Sequence, residues 1–91
     1  MLKPKVLRQF KRDVKLMAKR GKNQNKLSYI MLNLIEEKSL AKSHKDHVLT
    51  GNYKGYRECH IEPDWLLIYK VIKKEKIIVF VKIGTHSDLF R

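Results

Sequence analysis

The hydrophobic residues of this 91-residue chain change their spacing about halfway along it, and this change constrains the fold more than any other feature. In the first half they recur every three to four residues, which is the spacing of one face of a helix. The first such stripe consists of Val6, Phe10, Val14 and Met17, with Leu7 and Ala18 beside it. It predicts a first helix that ends at Gly21, because glycine readily adopts the left-handed conformation that follows a helix.

A second helix is predicted from a longer hydrophobic stripe. The stripe consists of Leu27, Ile30, Met31, Leu34 and Ile35. Asn23 or Asn25 can cap the first turn of this helix, since an asparagine side chain accepts a hydrogen bond from a free backbone amide there. The helical pattern is lost between residues 38 and 54, where we predict a loop.

Beyond this loop the pattern is that of β-strands, and three are predicted, at residues 56–61, 65–72 and 77–83. The first alternates in polarity, with Glu58 and His60 on one face. The other two are apolar on both faces, which is typical of strands that are covered on both sides. Residues 62–64 and 73–76 form the turns between them, the first because its proline presets a turn dihedral. Gly84 lets the chain bend after the last strand.

Together these elements predict a single α+β domain over residues 1–91. Two N-terminal helices pack on one face of an antiparallel sheet of three to four strands, since each element must bury its apolar face against another. The fourth strand is a short edge strand that the N-terminal residues can add. The sequence contains no internal repeat, low-complexity tract or linker.

The composition narrows the possible partners. Lysine and arginine total 21 against 9 aspartate and glutamate residues, which gives a formal net charge of +12. Such an excess favours a polyanion or an acidic protein as the partner. No apolar run approaches the ~20 residues that span a bilayer. The single cysteine, Cys59, cannot form an internal disulfide and is expected to be a buried apolar residue. A cytoplasmic protein without a membrane partner is therefore predicted.

Ionisable side chains lie at the ends of the predicted strands. His60 is near the end of the first strand, and Asp64 is in the turn that leads to the second. His86 follows the third strand, which should run antiparallel to the second, so its end lies near the start of that strand. We therefore expect His60, Asp64 and His86 to converge at one edge of the sheet. His47, in the long loop, can fold over the same edge.

These residue types suit the cleavage of RNA, because its 2′-hydroxyl is already a nucleophile. Imidazole and carboxylate can move the protons, and each positioned group typically contributes ~10²–10⁴-fold. Simpler interpretations remain open for several residues. His44 is expected to be exposed and inert, Glu58 to be an exposed strand carboxylate, and Trp65 or Phe90 to be either base contacts or core. A zinc site is disfavoured by the basic surroundings.

Three strings in the second half resemble the YafQ-type toxins of bacterial toxin–antitoxin systems, in the RelE/ParE superfamily. They are DHVLTG at 46–51, RECHIEPDWLLIY at 57–69 and GTHSDLF at 84–90. The resemblance implies a microbial-ribonuclease-like fold and the cleavage of messenger RNA, chiefly on the ribosome. It also implies neutralisation by a small, acidic, partly disordered antitoxin that binds DNA.

The resemblance also implies a set of site residues. The active-site positions of the family fall on His47, His60, Asp64 and His86, with Phe90 as an aromatic contact and Trp65 beside them. Relatives often carry arginine where this chain has Lys82, and lysine cannot clamp a phosphate with a planar fork. Arg57 or a loop lysine is expected to assist Lys82 in binding the RNA phosphate.

The resulting hypothesis is an endoribonuclease toxin that needs no metal or other cofactor. Asp64 or His60 acts as the general base, His86 acts as the general acid, and Lys82 faces the scissile phosphate. Trp65 and Phe90 hold bases splayed from the strand. A ParE-like inhibitor of DNA gyrase and a non-enzymatic RNA-binding protein are the alternatives. Both explain the charge, but neither gives the acid–base residues a role.

Overall fold

A five-stranded sheet organises the protein, and the structure, a computed structural model, describes residues 1–90. The strands are β1 (Lys3–Val6), β2 (His47–Val48), β3 (Arg57–Glu62), β4 (Trp65–Ile72) and β5 (Ile77–Gly84). The helices are α1 (Arg8–Lys19), α2 (Gln24–Ile35) and α3 (His86–Leu89), and 3₁₀ turns occupy Lys42–His44 and Gly51–Tyr53. None of the helices in residues 1–90 is long and apolar enough to cross a bilayer.

The strand order is β1-β5-β4-β3-β2, and the sheet is mixed. The meander of β3, β4 and β5 is antiparallel as expected, but β1 lies parallel to β5. The prediction of three to four antiparallel strands was therefore wrong in strand number and in the direction of the edge strand. Val6 belongs to β1, opposite Phe80, and not to the first helix. Its spacing from Phe10 fits a helix, but its backbone pairs with β5.

The two long helices pack on one face of the sheet, as predicted. Their buried side chains and those of the strands form the main core, whose members include Phe10, Met17, Leu27, Ile30, Leu34, Cys59, Leu67, Tyr69, Ile78 and Phe80. Gly21 follows α1 at a φ of +83°, a conformation that favours glycine. Asn23, one of the two expected caps, accepts a hydrogen bond from the backbone amide of Asn25 at 2.9 Å.

The opposite face of the sheet has a smaller apolar cluster, built on Leu66, Ile68 and Leu89. The loop before β3 and the short helix α3 cover it in part. A bulge in β5 shifts the register: Ile68 pairs with Lys82, Tyr69 pairs with Phe80, and Val81 has no partner. The bulge places Lys82 on the same face as Ile68, since paired residues share a face. This face, away from α1 and α2, is called the open face below.

Candidate active site

Three of the chemically active side chains project from the open face because of the strand register. His47 of β2 lies opposite Glu58 of β3, and Glu58 lies opposite Ile68. His60, two residues after Glu58, lies on the same face opposite Leu66. The register thus brings Glu58, His60 and Lys82 to one side of the sheet, with His47 beside them at its edge.

Asp64 and His86 form a direct pair beside this face. One carboxylate oxygen of Asp64, Oδ1, accepts hydrogen bonds from the His86 backbone amide at 2.9 Å and from ring Nδ1 at 2.6 Å. The backbone bond and then the ring bond lower the pKa of Asp64 below its usual value. Because the ionised carboxylate can only accept, Nδ1 carries a proton and Nε2 is the ring nitrogen left to act on a substrate.

Helix α3 begins with His86, and hydrogen bonds of Thr85, Asp88 and Arg20 hold its first turn in place. Thr85 and Asp88 cap it reciprocally: the Thr85 hydroxyl accepts from the Asp88 amide at 3.2 Å, and Asp88 accepts from the Thr85 amide at 2.9 Å. Arg20, at the end of α1, donates to both Asp88 oxygens at 2.7 and 3.3 Å. These bonds lower the pKa of Asp88 to about 2, with Arg20 as the largest cause.

Gly84 permits this placement of α3. A Cβ atom at Gly84 would lie 2.8 Å from Asp88 Cβ and 3.0 Å from its Oδ2. Carbon atoms in contact lie ~3.5–4.0 Å apart, so only glycine fits at this end of β5. The requirement is one of space, because Gly84 is not in the left-handed region.

His60 is anchored and faces His86. Its Nδ1 lies 3.2 Å from the carbonyl oxygen of Pro63, and the two imidazole ring centroids are 5.8 Å apart. The backbone carbonyl of His60 accepts from His44 Nδ1 at 2.7 Å. The expectation that His44 is exposed was therefore wrong: it is half-buried, and its ring holds the backbone of β3.

Glu58 is the functional candidate that the sequence analysis missed. It was expected to be an exposed strand carboxylate, but it is only 5% exposed. Its Oε1 lies 3.6 Å from Nε2 of His47 and 3.6 Å from Nε2 of His60. The alternation of Glu58 with His60 was visible in the sequence, whereas its cover by the loop that carries His47 was not.

Aromatic side chains lie beside Lys82 on the open face. The Lys82 ammonium lies 5.7 Å from the ring centroid of Tyr53. Phe90, 41% exposed, packs edge-on against Tyr53 at 5.7 Å and lies 6.5 Å from the His86 ring. The exposed part of the Phe90 ring is available to a base. Tyr53 and Tyr56, which contact each other at 6.3 Å, were not among the predicted site residues.

Two predicted RNA contacts lie elsewhere. Trp65 is 0% exposed and belongs to the core between the sheet and the long helices, so its prediction as a base contact was wrong. Arg57 projects to the helix side, where its Nε donates to the hydroxyl of Tyr69 at 3.2 Å and lies 3.4 Å from Asp46. Because it is on the opposite face from Lys82, Arg57 cannot share a phosphate with it in this arrangement.

The open face thus carries the neighbouring imidazoles of His60 and His86, an ionised carboxylate hydrogen-bonded to one of them, and two lysines, Lys70 and Lys82. This arrangement can move protons and stabilise a negatively charged intermediate. Within residues 1–90, no group of three or more His, Cys, Asp or Glu side chains is arranged to hold a metal ion.

Comparison with known proteins gives a consistent result along the whole chain. A family model described as "Bacterial toxin of type II toxin-antitoxin system, YafQ" matches residues 2–91. The mRNA interferase toxin YafQ of Escherichia coli strain K12 is 49% identical over 83 residues, which cover 90% of this chain and 88% of that protein. The crystal structure of YafQ from E. coli strain BL21(DE3) superposes with a TM-score of 0.93 at 43% identity, covering 100% of both chains. The toxin in the crystal structure of the E. coli DinJ–YafQ complex gives a TM-score of 0.92 at 44% identity, again over 100% of both chains.

Proposed function

Because the chain belongs to the YafQ family of bacterial type II toxin–antitoxin toxins, we propose that it is an mRNA interferase, an endoribonuclease that cuts messenger RNA. The observation that carries this proposal is the Asp64–His86 pair facing His60 across 5.8 Å between ring centroids. A gyrase inhibitor or a passive RNA-binding protein has no need of this arrangement. The protein acts in the cytoplasm, on mRNA held by the ribosome.

The reaction proceeds by attack of the RNA 2′-hydroxyl on the adjacent phosphorus. A histidine on the β3 side of the site, His60 with His47 beside it, takes the 2′-hydroxyl proton as the new O2′–P bond forms. The P–O5′ bond then breaks, and Nε2–H of His86 gives its proton to O5′. The products are a 2′,3′-cyclic phosphate, which can open to a 3′-phosphate, and a 5′-hydroxyl end. No metal takes part.

Asp64 is assigned to positioning, which separates the two base candidates of the sequence analysis. Its Oδ1 is occupied by two hydrogen bonds from His86. A carboxylate in that position orients the ring and stabilises it when it carries two protons, the role of the aspartate in a serine–histidine–aspartate triad. We therefore assign the proton acceptor to an imidazole and give Asp64 the role of supporting the acid.

Lys82 is assigned to the scissile phosphate. It projects from the same face as His60. Its ammonium lies over the ring of Tyr53, and Tyr53 in turn packs against Phe90. Its single ammonium stabilises negative charge but does not orient the phosphate as an arginine would. Phe90 stacks on a neighbouring base, since every base has a π face.

The protein partner is an acidic antitoxin. The net charge of +12 makes an acidic protein a complementary partner. In the family, E. coli YafQ is known in complex with DinJ. Bound antitoxin blocks the open face or displaces Phe90, and so keeps mRNA out of the site.

The test is RNA cleavage by the purified toxin and by His86→Ala. We expect wild-type protein to cut mRNA on ribosomes, and we expect His86→Ala to lose about 10²–10⁴-fold in rate while its Tm is unchanged. Lys11→Ala, which removes a cation from the exposed side of α1, is the control and should cut normally. A folded His86→Ala variant that cuts at the wild-type rate would remove His86 from the mechanism. Equal rates on free and ribosome-bound mRNA would contradict the ribosome as the site of action.

A further inference from the structure

Glu58 is a buried carboxylate to which the proposed mechanism gives no role. It is 5% exposed, in the middle of β3. A buried carboxylate is costly unless charged or hydrogen-bonding groups compensate it. The ion-pair partners that the structure records for Glu58 within residues 1–90 are two imidazoles, those of His47 and His60. The Glu58 carboxylate therefore interacts with side chains of the candidate site and not with the hydrophobic core.

The two imidazoles present the same atom to Glu58. Nδ1 of His47 lies against the carbonyl oxygen of Lys45, and Nδ1 of His60 lies 3.2 Å from that of Pro63. A carbonyl oxygen can only accept, so each Nδ1 carries a proton. Nε2 is then the basic nitrogen of both rings. Both Nε2 atoms lie 3.6 Å from one oxygen, Oε1 of Glu58.

We propose that Glu58 is a positioning residue shared by His47 and His60, and that it makes the two rings a single proton-accepting unit. The proposal rests on the proposed function and adds to it. When Nε2 of either ring takes the proton of the 2′-hydroxyl, the O2′–P bond forms and the new imidazolium lies beside the Glu58 carboxylate. The electron pair of the broken P–O5′ bond receives its proton from His86. Either ring can start the reaction, because both Nε2 atoms are held beside the same negative charge.

The separation of 3.6 Å is long for a hydrogen bond, whose usual range ends near ~3.2 Å. Contacts of this kind often tighten only when substrate is bound or charge develops. A proton arriving on Nε2 gives the ring a positive charge within ion-pair distance of the carboxylate, which stabilises that charge. The carboxylate therefore affects the proton transfer from the 2′-hydroxyl and not the binding of RNA, because it is buried behind the two rings and away from solvent.

The test compares Glu58→Gln with a control from the same strand. Glu62→Gln removes a carboxylate that pairs with Lys22 and Lys26 instead of imidazoles. In single-turnover cleavage of ribosome-bound mRNA, we expect Glu58→Gln to lose about 10–100-fold in rate, with the toxin concentration for half-maximal rate unchanged. Glu62→Gln should cut at the wild-type rate. Glu58→Asp keeps the charge and should recover part of the loss.

Two further measurements separate positioning from simple folding. Ring ¹⁵N spectra at neutral pH should show altered Nε2 signals of both His47 and His60 in Glu58→Gln. The same signals should be unchanged in Glu62→Gln. In a variant that lacks both rings, His47→Ala with His60→Ala, Glu58→Gln should cost no further rate. Additional loss in that background would show that Glu58 does not act through the rings and would overturn the proposal.

The outcomes also separate this proposal from the proposed function. If wild-type protein cuts RNA and Glu58→Gln cuts equally well, the shared carboxylate is wrong and the endoribonuclease stands. If neither wild-type protein nor Glu62→Gln cuts RNA, the proposed function itself fails. If Glu58→Gln fails to fold, the Glu58→Asp variant decides: a folded protein with wild-type ring spectra and a slow rate contradicts the proposal.

Discussion

The small space between Gly84 and Asp88 allows a test in which one added methyl group moves helix α3, which carries His86. In Gly84→Ala the new Cβ would lie 2.8 Å from Asp88 Cβ. Carbon atoms in contact lie ~3.5–4.0 Å apart, so α3 must retreat by roughly 0.7–1.2 Å. Both His86 and Phe90 should move with it, because His86 is the first residue of α3 and Phe90 is the C-cap residue that follows it.

We expect separable effects on rate and on stability. A displacement of ~1 Å at a catalytic group can cost about 10²-fold in rate. Overpacking of this kind typically costs ~1–3 kcal/mol, and each kcal/mol lowers the Tm of a domain of this size by about 4–8 °C. The assay is single-turnover cleavage of ribosome-bound mRNA beside thermal unfolding, at a temperature where the variant remains folded.

Gly21→Ala is the matched control. It adds the same methyl group in open space, with nothing within 4 Å, but at a φ of +83°. A non-glycine residue in that region costs ~1–2 kcal/mol, so its stability should fall while its cleavage rate stays within about twofold of wild type. If Gly84→Ala cuts as fast as Gly21→Ala, the position of α3 does not limit the reaction.

The charged groups of the protein and its substrate lead to three more predictions. Asp88→Asn should lower the free energy of unfolding by roughly 1 kcal/mol at pH 7, the size of a lost cap and a screened ion pair. Because folding lowers the pKa of Asp88 to about 2, the difference should shrink as the pH falls from about 4, and most of it should be lost near pH 2, where the folded-state carboxyl is half protonated. An undiminished difference at pH 2 would contradict the role given to the ionised carboxylate. Binding of a non-cleavable RNA should weaken steeply with salt, with a log–log slope near −0.7 for each neutralised phosphate, whereas antitoxin binding should weaken less; a flat RNA titration would show that the basic surface does not bind RNA. A chelator of zinc and other transition metals should leave cleavage unchanged, and loss of activity that zinc restores would contradict the metal-free mechanism.

The antiparallel meander and the two long helices were predictable because their signals are local. The stripe that ends at Ile35 and the apolar run of β4 are each contained in a single element. The parallel pairing of β1 with β5 joins residues more than 70 positions apart, for example Val6 and Phe80, and nothing in the sequence near Val6 indicates it. The apolar side chain of Val6 fits the spacing of a helix as well as that of a strand, so the predicted first helix began too early.

The site was predictable where turns fix the geometry. His60, Asp64 and His86 meet as expected because a tight turn and a meander bring strand ends together. The resemblance to YafQ-type toxins was confirmed by the comparison. Burial was harder to predict. Trp65 and Glu58 were assigned the wrong exposure, since the cover over a residue comes from elements distant in sequence.

The bulge in β5 explains a further limit. The sequence places Val81 and Lys82 on opposite faces, by simple alternation. The bulge leaves Val81 unpaired and sets Lys82 opposite Ile68 on the open face. A single extra residue in a strand thus decides whether this lysine can face the phosphate, and the sequence carries no signal for it.

The most direct test of the account is the chemistry of the ends that the protein leaves on cut mRNA. Purified toxin is incubated with ribosomes that carry a defined message, and the fragment ends are identified by mass spectrometry and by end-specific labelling. Attack by the 2′-hydroxyl predicts a 2′,3′-cyclic phosphate or 3′-phosphate on one fragment and a 5′-hydroxyl on the other. A 5′-phosphate would mean that water is the nucleophile, and it would contradict the roles given to His60 and His86.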